Sequence, residues 1–414
     1  MPVSAQKHNP KGLASGKSGY ARALIAALCA GLASFNAMYV TQAVLPSLSQ
    51  DFGVSPTIAA LSVSATTGGL ALAVIPVGII SERFGRYRVL QISVLVATLL
   101  SFLVAVAPGM GSIIAIRAVQ GLAVAGVPAV MMTYLAEEIH SKHLPRVMGF
   151  YIAGTTIGGL LGRIIPGVFL EFASWRVAVA ASALFSVATA ALTAWVLPRS
   201  ANFRPKKITI LHELAAFQGH FANPILLRLF LIPFLIMGTF VSLYNYLGYR
   251  LSSEFGLAPS LAAFAFLLYL SGTWSSARAG VMVQKWGRGK VLALSTLLSV
   301  VGLVALLPPF LVTTLIAALL FTASFFAAHS VASGWVGAAA TKDRAEASST
   351  YILSYYLGSC FLGGLSGEFF QLGWGTFVAW LAGLTAVAFV FATGVWRRAS
   401  AAARKTAPAG NAGA

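Results

Sequence analysis

A short basic loop occurs twice in this chain, each time between two long apolar stretches. The first copy is Gly78-Ile-Ile-Ser-Glu82-Arg83-Phe-Gly85-Arg86-Tyr-Arg88-Val-Leu90. The second is Gly280-Val-Met-Val-Gln284-Lys285-Trp-Gly287-Arg288-Gly-Lys290-Val-Leu292. Glycine, base, glycine, base and the closing Val-Leu match at a constant offset of 202. Two further traces run at nearly the same offset. Gly154-xxx-Gly158-Gly159-xx-Gly162-Arg163 aligns with Ser359-xxx-Gly363-Gly364-xx-Gly367-Glu368, which sets Arg163 against Glu368. Asp51-Phe-Gly-Val-Ser-Pro56 aligns with Glu254-Phe-Gly-Leu-Ala-Pro259 and reads as a helix entry opened by proline. An internal duplication of this length confines the fold to two homologous halves.

The medium of the fold follows from composition. Of 414 residues, 58% are hydrophobic and 9% charged, whereas soluble domains carry roughly a quarter charged residues, so lipid is the solvent for most of the surface. Apolar stretches near the roughly 20 residues needed to span a bilayer fall at 22–48, 57–81, 88–107, 112–137, 146–171, 175–197, 223–251, 258–283, 290–307, 312–339, 347–371 and 375–396. The expected fold is an all-α membrane protein of twelve transmembrane helices in two pseudo-symmetric six-helix halves. Its expected parts are an N-terminal tail 1–21, a first half 22–197, a central loop 198–222, a second half 223–397 and a disordered tail 398–414. The N-terminal apolar run continues to about residue 48, longer than the roughly 7–15 residues of a signal-peptide core, so it is read as an uncleaved first span.

Charge placement gives an orientation. With both ends cytoplasmic, every Lys and Arg falls in inner loops and tails except Arg176 and Arg250 outside and Arg117, Arg163 and Arg278 within spans. That asymmetry accounts for the net charge of +18 without nucleic acid and suits an anionic lipid surface. Cys29 and Cys360 lie far apart in apolar segments and read as core thiols, with no metal site.

Function candidates follow from polar residues at membrane depth. Asn36, Tyr39, Thr41 and Gln42 in the first span, and Tyr244, Asn245, Tyr246 and Tyr249 in the seventh, face either a cavity or a neighbouring helix. Asn36, Tyr39, Gln42, Tyr244, Asn245 and Tyr246 are the substrate-cavity candidates. They include no carboxylate or lysine, so neutral solutes are expected over organic dications, and an anion only if Arg117 reaches the cavity. Arg117 and Gln120 share a helix face in the fourth span; Arg117 either serves coupling or snorkels outward. His329 is either a proton carrier or a satisfied structural group. All ten carboxylates lie in loops or near span ends, which leaves Glu368, Glu138 and His329 as protonatable choices. Coupling candidates are thus Arg117, Gln120, His329 and Glu368. The doubled loop, Gly78, Glu82, Arg83, Gly85 and Arg86 with Gly280, Lys285, Gly287 and Arg288, reads as a gate between the halves or as a topology anchor. In the gate reading Gly78 and Gly280 let two helices meet closely, and Glu137 or Glu138 is available to Arg83 or Arg86. Gly154, Gly158, Gly162, Gly363 and Gly367 form flat faces for helix packing or for sliding.

These residues together resemble the major facilitator superfamily. The first loop is similar to its motif Gly-x-Leu-Ala/Ser-Asp-Arg-x-Gly-Arg-Arg/Lys, with Glu82 in place of the usual Asp and Tyr87 interposed. Arg117-xx-Gln120-Gly121 resembles a fourth-span motif that the family links to proton coupling. The fifth-span glycine run resembles an antiporter motif, although Pro166 follows Arg163 and not a glycine. The resemblance covers about residues 20–397 and implies a central cavity lined by spans 1, 4, 7 and 10. It implies a monomeric secondary transporter of the bacterial inner membrane that exports a drug or sugar-like solute against protons, or alternatively imports it with them. Small solute, protons and bilayer are the expected partners, and no cofactor is expected. A transporter-like sensor would carry a soluble signalling domain, and an intramembrane enzyme would need metal-ligand spacing or a nucleophile with its base; neither pattern occurs.

Overall fold

The computed structural model describes residues 12–14, 16, 18–203, 205 and 218–406. Lys7, Lys11, Lys17, Arg204, Lys206, Lys207 and His212, with much of the expected tails and central loop, lie outside them.

The described chain is helical: α1 Ser18–Tyr39, α2 Leu45–Phe52, α3 Pro56–Phe84, α4 Arg86–Ala105, α5 Met110–Val124, α6 Gly126–Glu138, α7 Leu144–Phe169, α8 Trp175–Val196, α9 Pro224–Ser253, α10 Pro259–Phe264, α11 Tyr269–Trp286, α12 Arg288–Val304, α13 Leu311–Ala339, α14 Arg344–Gln371 and α15 Trp374–Thr406. Among the described residues, nine helical stretches are long and apolar enough to cross a membrane. The other three expected spans have physical reasons for falling short. The eighth is divided by a 3₁₀ turn at Ala265–Leu268. The ninth, α12, has 17 residues. The eleventh, α14, opens on Arg344 and Glu346 and is diluted by serines and glycines. The tail expected to be disordered from 398 instead continues α15 to Thr406, through alanines and basic residues that favour helix.

The first span does not run straight. After Tyr39 the chain turns, forms a 3₁₀ stretch at Gln42–Val44 and restarts as α2. Pro46 stands at the start of α2 and has no N–H to return to the carbonyl four residues earlier, which breaks the ladder at this point. The fourth span bends between α5 and α6 beside Pro128 for the same reason.

Two compact units emerge. The first holds the helices up to α8 together with Ser242–Leu267 and Ser359–Glu368; the second holds α9 up to Val241, Leu268–Gly358 and the chain from Phe369. In the first unit the glycine face of α7 lies on α1. A Cβ at Gly154, Gly158 or Gly162 would run into the backbone of Leu28, Leu32 or Asn36. The four-residue spacing matches on both helices, so the backbones touch along two turns, which only glycine permits. An alanine-rich stripe, Ala23, Ala26, Ala27, Ala30 and Ala33, brings α1 into the core with Val127, Val130 and Tyr134 of α6. In the second unit Gly358 of α14 meets the backbone of Phe234 on α9 in the same way.

Candidate functional site

The break in the first span is held by two buried arginines. Arg117 of α5 is 0% exposed. Its guanidinium donates to the carbonyls of Ala37 (2.7 Å), Met38 and Ser62 (3.1 Å) and to Gln120 Oε1 (2.5 Å). The carbonyls of Ala37 and Met38 belong to the last turn of α1, where helix acceptors lack partners and the dipole is negative, so a cation is stabilised there. Gln120 Nε2 donates to Ala97 O and Ser101 Oγ, both at 2.7 Å. Arg117 therefore neither snorkels nor reaches open space.

Arg163 of α7 is the second arginine, 2% exposed. Its guanidinium lies over the Tyr39 ring at 3.8 Å and the Phe266 ring at 4.9 Å. Nε donates to Gln42 Oε1 at 2.7 Å, and Gln42 Nε2 passes the chain on to Asn245 Oδ1, also at 2.7 Å. Tyr244 stacks on Phe266 with centroids 5.4 Å apart. A pocket of about 50 Å³ opens beside this cluster, lined in part by Gln42, Tyr244, Leu247, Ala263 and Phe266. Asn245 Nδ2 is buried and has no hydrogen-bond partner among the described residues.

Four of the six cavity candidates, Tyr39, Gln42, Tyr244 and Asn245, thus gather at one place. The other two do not join them. The Asn36 amide hydrogen-bonds the hydroxyls of Ser182 (2.8 Å) and Ser186 (2.7 Å) of α8. Tyr246, fully buried, donates to Gly363 O at 3.3 Å, and Gly367 sits tightly against its hydroxyl and Thr57. Both serve helix contact. The residue that organises the cluster, Arg163, entered the sequence reading as one of three arginines within spans and as the repeat mate of Glu368, not as a site candidate. Its signal was its place inside a membrane-length helix, where an ionisable residue is a functional candidate by default.

His329 lies in the second unit. Its Nδ1 meets the Tyr351 hydroxyl at 2.9 Å, and its ring packs 4.7 Å from Tyr355. The surrounding aromatic shelf, with Phe240 stacked on Phe325 at 4.0 Å and tilted against Tyr269 at 5.0 Å, was legible only as scattered single residues. Glu368 is exposed and makes no ion pair among the described residues.

In the first doubled loop Arg86 is buried and binds Glu82, Glu137 (3.1 Å) and Ser81 Oγ (2.7 Å). Arg83 is exposed. Glu138 accepts instead from the backbone N–H of Ala201 (3.0 Å) and Asn202 (2.9 Å). The second loop has Gln284 where the first has Glu82, and Lys285 and Arg288 are exposed. Close approach at Gly78 and Gly280 is not what the structure has: a Cβ at either would meet nothing within 4 Å. The glycines the backbone requires are Gly85 and Gly287, at φ +95° and +81° in the turn joining each helix pair.

Paired helical repeats, buried cations on a broken span and a small polar-aromatic pocket define a polytopic transporter of the secondary type. Residues 26–280 match the Major Facilitator Superfamily model, and the chain belongs to that superfamily. It is 40% identical to the inner membrane transport protein YnfM of Escherichia coli (strain K12), covering 92% of this chain and 91% of that one. It is 34% identical to the uncharacterized MFS-type transporter YybF of Bacillus subtilis (strain 168), over 89% and 90% of the two. A gallate transporter of Pseudomonas putida is 28% identical over 42% of this chain and 38% of its own. Among solved structures, a bacterial homolog of the human lysosomal transporter Spinster superposes with TM-score 0.76 at 14% identity, covering 94% of this chain and 98% of that one. The xylose transporter XylE from E. coli gives TM-score 0.70 at 16% identity, covering 91% and 97%. Like these relatives, the chain is a multi-pass membrane transporter.

Proposed function

We propose that the chain exports a small molecule across the inner membrane in exchange for protons, by alternating access, as a monomer with both termini cytoplasmic. The observation that carries alternating access is the Gln42–Asn245 hydrogen bond. Aligning Asp51 with Glu254 also aligns Gln42 with Asn245, so equivalent residues of the two halves meet each other. Tyr249 reinforces the contact, donating to Leu45 O (2.8 Å) and pairing with Ser49 Oγ (2.7 Å). Few short hydrogen bonds between repeat-related helices make a closure that a rocking motion can open at modest cost. The basic doubled loops follow α3 and α11, at the opposite ends of their helices, and carry the charge that favours the cytoplasmic side. His329, joined to Tyr351, is the group we assign to the proton. The direction of the hydrogen bond between its Nδ1 and the Tyr351 hydroxyl depends on which ring nitrogen carries the proton, so the contact is coupled to the protonation of the ring.

Inverted vesicles under an imposed pH gradient test this. Sugars, amphipathic cations and gallate, the last suggested by the partial relative's name, are added in turn while proton flux is recorded. An exported solute dissipates the gradient as it accumulates. Proton movement in the same direction as the solute would make the chain an importer, and no solute-coupled flux with any of them would overturn the reading.

A further inference from the structure

Arg163 and Asn245 together present chemistry that none of the expectations for a neutral solute use. The guanidinium is buried and fixed by Gln42 and by the carbonyl of Gly159 (2.5 Å). Two aromatic faces, Tyr39 and Phe266, flank it. Asn245, 1% exposed, holds its amide oxygen against Gln42 and leaves Nδ2 with no partner among the described residues. A buried donor left unsatisfied is costly, so an arriving acceptor recovers that cost. Tyr244 and Phe266, stacked on each other, line the pocket beside these donors and supply its aromatic wall. Cation, amide donor and aromatic faces converge on one solute shape: a planar body ending in a carboxylate.

We propose that Arg163, Asn245 and the flanking aromatic rings form the recognition end of the transport site for a small planar organic carboxylate. The carboxylate accepts from Asn245 Nδ2 and is drawn by the Arg163 charge, and the body of the solute stacks on the rings. A carboxylate gains from the nearby guanidinium charge, whereas a sugar hydroxyl gains little from it. The proposal rests on the transporter reading above, and it moves the anion-recognising role from Arg117, which is enclosed by three carbonyls and Gln120, to the charge of Arg163.

The test is equilibrium binding to the purified full chain at pH 7, where carboxylic acids of pKa near 4 are ionised. Benzoate and gallate are compared with benzamide and gallamide, their uncharged isosteres. Saturable binding of at least one acid, about tenfold or more tighter than its amide, is expected. Arg163→Gln should weaken the acid about tenfold more than the amide, which removes the preference, and Arg163→Lys should restore part of it. Asn245→Asp, equal in size to the native residue, should weaken the acid about tenfold and the amide little, which keeps the test decisive if Arg163 variants fail to fold. Equal binding of acid and amide, no saturable acid binding, or an unchanged preference in Asn245→Asp would overturn the assignment. Proton-coupled movement of a neutral solute in the vesicle assay, without acid binding, would overturn it and leave the transporter reading standing. Acid binding without any coupled flux would do the reverse.

Discussion

Single residues divide into those whose role follows from chemistry alone and those whose role needs neighbours. Glycine before a basic turn was visible twice in the sequence, but the sequence did not say which glycine mattered. Gly85 and Gly287 occupy a backbone region that side-chain-bearing residues avoid. Alanine at either should cost about 1–3 kcal/mol, seen as a lower thermal midpoint of the purified protein. Gly78→Ala should be neutral or slightly stabilising, since the added methyl meets nothing and helix propensity improves. Equal loss at Gly78 and Gly85 would contradict this assignment. Arg117 makes a second case. Its depth marked it as important, and its four acceptors now explain why. Arg117→Ala orphans buried carbonyls at about 1–3 kcal/mol each, so well-folded protein should be scarce in detergent extracts. A wild-type yield and midpoint would show that the clamp is dispensable.

At the scale of elements, a duplicated pattern need not mean duplicated contacts. Both glycine runs pack closely against a partner helix, as small residues in membranes do, and Gly158→Val should separate α1 from α7 and abolish stable insertion. The two basic loops differ. Arg86 is locked between Glu82 and Glu137, whereas Arg288 is exposed and follows Gln284. Arg86→Glu would gather three carboxylates and should sharply reduce both stability and transport; Arg288→Glu should leave stability within about 0.5 kcal/mol, as at an exposed site. Matching losses of thermal midpoint in the two variants would mean that the asymmetry has no energetic weight. Helix ends were the least legible elements. The break after Tyr39 follows from Pro46 together with the carbonyls taken by Arg117, and only the first of these is local in sequence.

For the whole molecule, the proposed orientation has a direct check. In a chain carrying Cys29→Ala and Cys360→Ala, Gly109→Cys lies in the turn between α4 and α5, and Ser200→Cys follows α8. An impermeant thiol reagent added to intact cells should label the first and not the second; the reverse pattern would invert the topology. Opening of the closure is testable as well. Gln42→Ala removes the bond to Asn245 and one partner of Arg163, and should favour the state in which this end is open, read as faster labelling of Ala263→Cys beside the pocket. Unchanged labelling would mean that the hydrogen-bond chain does not hold the closure.

The class of the molecule was written into the sequence because its causes are local or additive. Apolar length requires lipid, basic loops bias orientation, and a repeated pattern requires a repeated half. Tertiary structure decided which polar residues become a site. Tyr39, Gln42 and Asn245 were recognisable as unusual at membrane depth, but so were Asn36 and Tyr246, and periodicity gives each the same rank. What separates them is the partner each side chain meets: serines of α8 for Asn36, a glycine carbonyl for Tyr246, and Arg163 for Gln42. A polar group in lipid must find a partner, and the chain does not say which until distant helices have packed.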